Sequence, residues 1–237
     1  MTRHLSRRVF LQETAAIGAA AVSIGQFSDR AAAGPPAAGK PRTVKSRPDV
    51  ILHRGGYPGW PWVTRTAKGL VCVFRDDGVH GFSPTGKILW TSSEDDGRTW
   101  TPARVVVDQP EVDDRNAAVA ELPDGALMVP YNTYTRDHVS QAMVTSSKDG
   151  GATWARPWPI AELDARTRSA PIALTSGDLL LPIYKAPGNG SIAARSADGG
   201  KSWTLQRVPD IGAFVGDEWD LLEVEPGRVV GIIRDNG

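Results

Sequence analysis

Charged side chains occur in short clusters along this chain of 237 residues, and several clusters combine carboxylates with arginines. Neighbouring carboxylates such as Asp76 and Asp77 can supply a general acid if one of them keeps its proton near neutral pH. The planar guanidinium group of arginine binds a carboxylate through two parallel hydrogen bonds. Trp60, Trp62 and Trp219 add flat rings that can stack on a ligand. These residue types suit a site for an acidic or neutral sugar.

An internal repeat organises the elements that must position these clusters. The octapeptides SEDDGRTW, SKDGGATW and SADGGKSW begin at residues 93, 147 and 196, at intervals of 54 and 49. A second repeat interleaves with them at 65–75, 121–131, 173–184 and 223–234, and each copy is a turn with glycine followed by an apolar run. The chain therefore contains four copies of a unit of about fifty residues, the fourth incomplete.

The unit divides into four short strands. In the second copy, strands are predicted at 116–122, 126–134 and 141–146, and a fourth is predicted near Trp158. Four antiparallel strands per unit of this length are typical of one blade of a β-propeller. The first strands would then begin, and the second strands end, at one rim. That rim collects the charged segments 75–77, 113–116, 136–138, 166–169, Lys185, 217–220 and 234–235.

The octapeptide itself is predicted to be structural. Its glycine allows a tight turn, and its aspartate and hydroxyl side chains can bind backbone N–H groups within the turn. The alternative is that Asp95, Asp149 and Asp198 are catalytic residues or calcium ligands. Three identical sites are unusual for catalysis in one small protein, whereas repetition is expected of a structural motif.

Composition limits the partners and cofactors that the chain can be expected to use. The formal net charge is zero, so no overall field attracts nucleic acid or an anionic membrane. Cys72 is the only cysteine, and no disulfide can form within the chain. The sequence has no Cys/His cluster and no phosphate-binding loop, so we expect no cofactor and no metal.

The N-terminus has the layout of a cleaved export signal. Arg7 and Arg8 precede an apolar stretch at 15–24 and small residues at 31–33. The paired arginines resemble a bacterial twin-arginine signal, and the apolar stretch is too short for a membrane span. We predict a signal peptide at 1–33, a linker at 34–48 and a partial propeller at 49–237. Export by this pathway implies a periplasmic or extracellular location.

The three octapeptides resemble the Asp box of the sialidase superfamily, whose six-bladed β-propellers carry it between the third and fourth strands of a blade. The resemblance covers about residues 50–237. It implies an all-β, sialidase-like six-bladed β-propeller, of which about four blades are present. A sheet that stops after the fourth copy leaves an unpaired edge, so we expect the chain to be an N-terminal fragment of a longer protein.

The resemblance also implies roles for individual residues. In sialidases a glutamate that activates a tyrosine nucleophile precedes, by sixteen positions, one of three arginines that bind the substrate carboxylate. Glu218 and Arg234 have this spacing. The acid/base aspartate belongs to the loop after the second strand of blade one, where Asp76 and Asp77 are the candidates. The nucleophilic tyrosine and the third arginine would lie on later blades, so these 237 residues alone are expected to be inactive.

The sequence departs from the family pattern at two places. Gly59 occupies the position of the first arginine, and the nearby Arg54 and Arg65 are out of register with it. Trp219 stands where the family has a proline. Further candidates for substrate binding on the same rim are Arg54, Arg115, Arg168, Lys185 and Trp219.

Three functions remain open from the sequence. The first is an exported glycoside hydrolase of the exo-alpha-sialidase type that acts on a glycan or sialoside. The second is another glycosidase on the same fold, which uses two carboxylates in place of a tyrosine. The third is a non-catalytic Asp-box propeller that binds glycan or protein.

Overall fold

The computed structural model describes residues 9–13, 50–77, 79–185, 190–208 and 216–235. Within these ranges the regular structure consists of strands joined by turns and short loops, which confirms the predicted all-β class. The same ranges contain no helix that is long and apolar enough to cross a membrane.

The strands are short and are numbered in chain order. Second strands such as LMVPYNTY are rich in apolar residues, and they are buried because sheets pack on both of their faces. The bounds are β1 Val9–Glu13, β2 Gly59–Thr66, β3 Gly69–Asp76, β4 Lys87–Ser93, β5 Arg104–Val107, β6 Asp113–Arg115, β7 Ala120–Glu121, β8 Leu127–Tyr134, β9 Ser140–Ser147, β10 Trp158–Thr167, β11 Ile172–Ala173, β12 Leu179–Lys185, β13 Ser191–Ser196, β14 Thr204–Arg207, β15 Gly216–Glu225 and β16 Arg228–Asp235.

Antiparallel pairing groups these strands into successive blades. Blade one is β2-β3-β4-β5, and blade two is β6 and β7 beside β8, then β9 and the start of β10. The end of β10 and β11 pair with β12, which continues through β13 and β14 as blade three. β15 and β16 form blade four, as expected for a partial propeller. β1, whose residues lie inside the predicted signal at 1–33, pairs with β16.

The first strand of blade two differs from the prediction. In place of one strand at 116–122, the structure has β6 and β7 with an irregular segment between them. Asn116 has a φ of 58°, in the left-handed region, which interrupts the ladder. The N–H of Ala118 still donates to the carbonyl of Pro130, so the segment stays beside β8. The predictions for β8, β9 and the start of β10 are confirmed.

The three Asp boxes are turns stabilised by their own side chains. In the second box, Ser147 Oγ donates to Asp149 Oδ1 at 2.7 Å and accepts from the N–H of Gly151 at 2.8 Å. The N–H of Thr153 donates to Asp149 Oδ1 at 2.9 Å. The same bonds recur in the other two boxes. The structural interpretation is confirmed, because the carboxylates are engaged by their own turns.

Apolar clusters hold each blade against the next. The Asp-box tryptophan of blade two, Trp154, packs edge-on against Trp90 of blade one with ring centroids 6.0 Å apart. Between blades two and three, Leu181 and Ile183 are fully buried. Between blades three and four, Trp219 and Leu221 pack with Tyr184. These contacts fix the relative position of the strand ends that carry the candidate site.

Candidate functional site

The candidate residues gather at one edge of the blades. In each blade the start of the first strand and the end of the second strand lie at the same edge, because neighbouring strands are antiparallel. The Asp boxes lie at the opposite edge. We call the first edge the polar rim and define it by residues 53–60, 75–77, 79–86, 113–116, 134–138, 166–168, 217–219 and 234.

A buried ion pair on the polar rim joins blade one to blade two. Arg75 Nε donates to Asp113 Oδ1 at 2.7 Å and Arg75 Nη2 donates to Asp113 Oδ2 at 3.0 Å, and both side chains are fully buried. Nη2 also donates to Asp77 Oδ2 at 3.0 Å, and Nη1 donates to the carbonyl of Val79 at 2.7 Å. Because every guanidinium nitrogen is engaged, Arg75 fixes the two blades together and is not open to a ligand.

Arg75 has a particular relation to the missing first arginine. Gly59, which occupies that position in the sequence, is the cross-strand partner of Arg75. Arg75 on β3 therefore lies beside the position on β2 where the family has its first arginine. Its charge is already matched by Asp113, so the departure from the family pattern persists in the structure.

The two acid candidates have different surroundings. Asp77 accepts hydrogen bonds from Arg75 and, at 3.1 Å, from Thr85 Oγ1. Asp76 Oδ2 lies 3.0 Å from His53 Nε2, and the two side chains are mostly buried. The other oxygen, Asp76 Oδ1, is buried without a hydrogen-bond partner among the described residues. The side chain of Asp76 is 17% exposed and that of Asp77 is 9% exposed, so Asp76 is the better placed of the two to contact a ligand.

A series of cations and rings crosses the polar rim from blade one to blade three. The guanidinium carbon of Arg115 lies 5.0 Å from the ring centre of Trp60 and 4.6 Å from that of Tyr134. Arg166 approaches Tyr134 from blade three at 5.5 Å. Arg115 is held by Asp113 and by the carbonyl of Gly81, so it is tightly bound within this series.

Glu218 and Arg234, which were predicted to be catalytic and substrate-binding respectively, form an ion pair on blade four. Arg234 Nη1 donates to Glu218 Oε2 at 3.1 Å, and the side chains are 59% and 35% exposed. Antiparallel pairing of β15 and β16 brings together two residues sixteen positions apart. A guanidinium group that is more than half exposed keeps donors available to a ligand carboxylate.

Trp219 does not lie open on the polar rim. Its side chain is buried between blades three and four, and its indole N–H donates to the carbonyl of Ile183 at 2.8 Å. Alternation along β15 turns Trp219 into the core while Glu218 faces outward. The buried ring is therefore not available for stacking, which corrects the expectation from the sequence.

The remaining candidates are less closely grouped. Arg168 follows β10 and is half-buried, whereas Arg54 precedes β2 and is exposed. Lys185 ends β12, and its side chain lies outside the described residues. The position of Arg54 gives no evidence that it binds a ligand together with the other site residues.

A tyrosine lies close to Glu218, but it is part of the core. Burial raises the pKa of Tyr184 above its usual range, and the charges of Glu218 and Asp217 raise it further. Arg166 and Arg168 oppose this shift, which places both arginines near the same phenol. Since a buried neutral phenol is a poor nucleophile, Tyr184 does not supply the tyrosine that the family mechanism requires.

Asp114 has a raised pKa, but its side chain lies in the interior of the protein. Burial raises the pKa of Asp114 to about 6, while hydrogen bonds from Gln109 act in the opposite direction. The backbone N–H of Gln109 donates to Oδ2 at 2.7 Å and its side-chain amide donates to Oδ1 at 2.9 Å. The carboxyl group is fully buried, so it cannot protonate a ligand on the rim.

No metal centre is evident in the part of the chain that the structure describes. Within it, no group of three or more His, Cys, Asp or Glu side chains is arranged to hold a metal ion.

Sequence reasoning missed two residues of the polar rim. His53 lies 23 positions before Asp76, and no spacing rule joins a loop residue to a strand end. Tyr134 ends β8, the second strand of its blade. Asp76 ends β3 in the same way, so equivalence between the repeats would have identified Tyr134.

Comparisons with known proteins identify similar repeat-containing domains. Residues 60–169 match the model of the BNR repeat-like domain. The exo-alpha-sialidase of Aspergillus fumigatus is 27% identical over 223 residues, which cover 77% of this chain and 53% of that protein. The chain therefore spans about half the length of this curated relative.

Solved structures support the fold. A protein of unknown function from Dyadobacter fermentans matches with a TM-score of 0.69 and 21% identity, over 79% of this chain and 65% of the other. The NanB sialidase of Streptococcus pneumoniae matches with a TM-score of 0.67 and 11% identity, over 80% and 51%. The solved structures show a sialidase-type propeller fold, and the domain match and the curated relative support a sialidase-like BNR-repeat protein.

Proposed function

We propose that the whole protein is a glycoside hydrolase of the exo-alpha-sialidase type, acting on a glycan that carries a carboxylate. The observation that carries the proposal is the ion pair of Glu218 and Arg234, with its 3.1 Å contact on the polar rim of blade four. The two residues have the identities and the spacing of the sialidase pattern. Arg234 would bind the carboxylate of the sugar, and Glu218 would raise the nucleophilicity of a tyrosine.

Asp76 is the acid that we favour in this reaction. Its side chain is 17% exposed, whereas that of Asp77 is 9% exposed and is bound to the guanidinium group of Arg75. In the first step Asp76 gives its proton to the glycosidic oxygen as that oxygen leaves the anomeric carbon, while the tyrosine oxygen bonds to the anomeric carbon and gives its proton to Glu218. In the second step a water molecule gives a proton to Asp76 and its oxygen bonds to the anomeric carbon, while the tyrosine oxygen leaves and takes its proton back from Glu218.

The test uses the longest product of the reading frame and a fluorogenic sialoside. Glu218→Gln should lower kcat by about 10²–10⁴-fold, with sialic acid still bound. Glu225→Gln is the matched control, because Glu225 pairs with Arg228 at the opposite edge of the same blade. Unchanged turnover in Glu218→Gln would refute the assignment. The 237-residue chain alone should bind sialic acid without turnover, because Tyr184, the tyrosine near Glu218 among the described residues, is buried.

A second candidate is a non-catalytic glycan-binding propeller or a glycosidase with a different site. It is favoured by the absence of a free arginine beside Gly59, since Arg75 is fully engaged by Asp113. Sialic acid binding without hydrolysis by the longest product would support the binding module. Turnover of a neutral glycoside that depends on Asp76 but not on Glu218 would support the other glycosidase.

Export by the twin-arginine pathway is part of the proposal. It is supported by Arg7 and Arg8 ahead of the apolar stretch. Replacing both arginines by lysine in a bacterial host should retain the precursor in the cytoplasm, and fractionation with immunoblotting would show it. Continued export of the double variant would contradict this pathway.

A further inference from the structure

We propose that the four described blades form two rigid pairs, one with two and three with four, which move relative to each other at the junction of blades two and three. A contact at the Asp-box edge supports this inference, because it joins the blades within each pair. We call this contact the glutamate latch, and it is formed by Glu121 with Ala67 and by Glu223 with Thr175. The inference rests on the proposed function only for its consequence at the site.

The first glutamate latch joins blade one to blade two. Glu121, at the end of β7, accepts a hydrogen bond at 2.8 Å from the backbone N–H of Ala67, in the turn between β2 and β3. The next residue, Lys68, reaches the Asp box of blade two, because a Cβ atom on Gly150 would lie 3.1 Å from the Lys68 ammonium nitrogen. Since hydrogen bonds to a carboxylate are stronger than those between neutral groups, the turn of blade one is held against blade two.

The second glutamate latch joins blade three to blade four. Glu223 Oε2 accepts hydrogen bonds from the backbone N–H of Thr175 at 2.7 Å and from its hydroxyl group at 2.9 Å. Glu223 Oε1 accepts from the N–H of Gly227, in its own turn, at 2.8 Å. The N–H groups of Gly227 and Thr175 lower the pKa of Glu223, so the latch is a charge-assisted contact at neutral pH.

Equivalent positions of the repeat form both latches. Glu121 and Glu223 each stand four residues before the turn glycine of their own blade. Each is also the cross-strand partner of the residue two positions after that glycine. The donors Ala67 and Thr175 each stand two residues before the turn glycine of the preceding blade. The latch is therefore a property of the repeat and can be sought at the remaining junction.

The junction of blades two and three has neither partner of a glutamate latch. The acceptor position on the first strand of blade three is Ala173, which has no carboxylate, and the donor position in blade two is Pro123, which has no N–H. The turns themselves are alike, because Leu122 and Leu174 each donate to the carbonyl four residues later at 2.8 Å. The identities of two residues, and not the geometry of the turn, thus leave this junction without a latch.

Blades two and three are connected through one shared strand at the polar rim. β10 begins beside β9 of blade two and ends beside β12 of blade three, and its register shifts between Pro159 and Asp164. The indole N–H of Trp158, on the same strand, donates to the carbonyl of Gly200 at 3.0 Å. Apolar packing around Leu181 also joins the blades, but it has no directional bonds. β10 can therefore act as a hinge about which the Asp-box edge opens.

The candidate site is divided between the two pairs of blades. Asp76 lies on blade one, which the buried pair of Arg75 and Asp113 fixes to blade two. Glu218 and Arg234 lie on blade four. Rotation about β10 therefore changes the distance between the proposed acid and the residues proposed to bind the substrate carboxylate.

Hydrogen exchange of backbone amides in the longest product of the reading frame tests the missing latch. Mass spectrometry with fragmentation to single residues would compare Leu122 and Gly125 of blade two with Leu174 and Gly177 of blade three. These N–H groups make the same 2.8 Å bonds within their turns, so the latch is the difference between them. After correction for intrinsic rates, the two amides of blade two should exchange about two- to tenfold faster, as expected from the loss of one hydrogen bond.

A matched set of variants builds the missing latch. Pro123→Thr supplies the N–H and Ala173→Glu supplies the carboxylate, so only the double variant has both groups. Relative to Pro123→Thr alone, the double variant should slow exchange at Leu122 and Gly125 about two- to tenfold. Ala173→Glu alone should exchange like the wild type, because Pro123 has no N–H to donate.

Spin labels measure the movement of the blades directly. Labels on Asp124→Cys and Ser176→Cys span the junction of blades two and three, and labels on Ser176→Cys and Glu225→Cys span that of blades three and four; Cys72 is buried and stays unlabelled. Electron–electron double resonance should give a broader distance distribution for the first pair. The double variant Pro123→Thr, Ala173→Glu should narrow that distribution and leave the second unchanged.

Three results would each overturn the inference: equal exchange in the two turns of the wild type, equal exchange in Pro123→Thr and the double variant, or equal distance distributions across the two junctions. The hydrolysis assay is independent of these measurements. If the turns and distances behave as expected but no sialoside is hydrolysed, the two rigid pairs stand and the proposed function fails. If sialosides are hydrolysed and the two junctions behave alike, the proposed function stands and the rigid pairs are refuted.

Discussion

At the scale of single residues, the same residue type has opposite environments in different parts of this fold. Three aspartates of the Asp boxes accept hydrogen bonds from their own turns, which lowers their pKa, to about 2 for Asp95. Asp114 lies in the interior, and burial raises its pKa. Burial and hydrogen bonding act on a carboxyl group in opposite directions, and the local fold decides which of them is larger.

Asp149→Asn should reduce the stability of the protein at neutral pH. The variant should then lose less stability than the wild type as the pH falls. Hydrogen bonds from Thr153 and Ser147 lower the pKa of Asp149, so the folded chain binds fewer protons than the unfolded chain below about pH 4. This contribution is fully present above that pH and is lost as the pH falls. Melting temperatures from pH 7 to pH 2 would show the variant and the wild type converging in acid. Asp137→Asn is the control on an exposed loop, and parallel curves would contradict the prediction.

At the scale of elements, neighbouring blades are joined by two kinds of contact. Apolar side chains fill the space between the sheets, as Trp154 and Trp90 do for blades one and two. On the polar rim the same two blades are joined by the buried pair of Arg75 and Asp113. The pair positions the start of β6 against the end of β3, and it thereby fixes the strand ends that carry Asp76 and Arg115.

Asp113→Ala should destabilise the protein by about 3–5 kcal/mol. The substitution removes the carboxylate that accepts two hydrogen bonds from the buried guanidinium of Arg75 and leaves only Asp77 paired with it. The pair as a whole contributes less to stability than this loss. Urea unfolding at pH 7 measures the effect. Asp96→Ala is the control, because Asp96 and Arg65 form an exposed pair, and it should cost less than about 1 kcal/mol. Similar losses in both variants would show that the burial of the pair is irrelevant.

At the scale of the whole molecule, the blades follow one another along the chain and each packs on its neighbour. Blade four is attached to blade three through the cluster that contains Trp219, Leu221 and Tyr184. Leu222 and Ile232 on the other face of blade four are 61% and 69% exposed. Blade four therefore depends on one apolar interface within the described part of the chain.

Trp219→Ala should loosen blade four before the rest of the molecule. Loss of a buried tryptophan costs about 3–5 kcal/mol, and here it also removes the hydrogen bond to the carbonyl of Ile183. Hydrogen exchange followed by mass spectrometry should show faster exchange in β15 and β16 with little change in β2–β5. Leu222→Ala is the control on the same strand. Equal acceleration in all blades would indicate that the molecule unfolds as one unit.

Much of the fold was determined by local sequence. The octapeptides specify their own turns, because Ser147, Asp149 and Thr153 are close enough along the chain to bind one another in any blade. Their spacing, with the apolar runs between them, is enough to predict an all-β propeller. The exception was Asn116, whose left-handed backbone conformation interrupts the single strand that the amino-acid composition of residues 116–122 favoured.

The site depended on contacts that sequence spacing does not encode. Glu218 and Arg234 were predicted from their resemblance to the sialidase pattern, and their fixed spacing corresponds to pairing within one hairpin of two adjacent strands. His53 with Asp76, and Arg75 with Asp113, meet only after distant segments and separate blades have packed. The burial of Trp219 was decided in the same way, since alternation along a strand gives two faces and only the neighbouring blade determines which one is covered. Sequence alone therefore determined the blades, and tertiary packing decided which of their polar and aromatic ends remain open to a ligand.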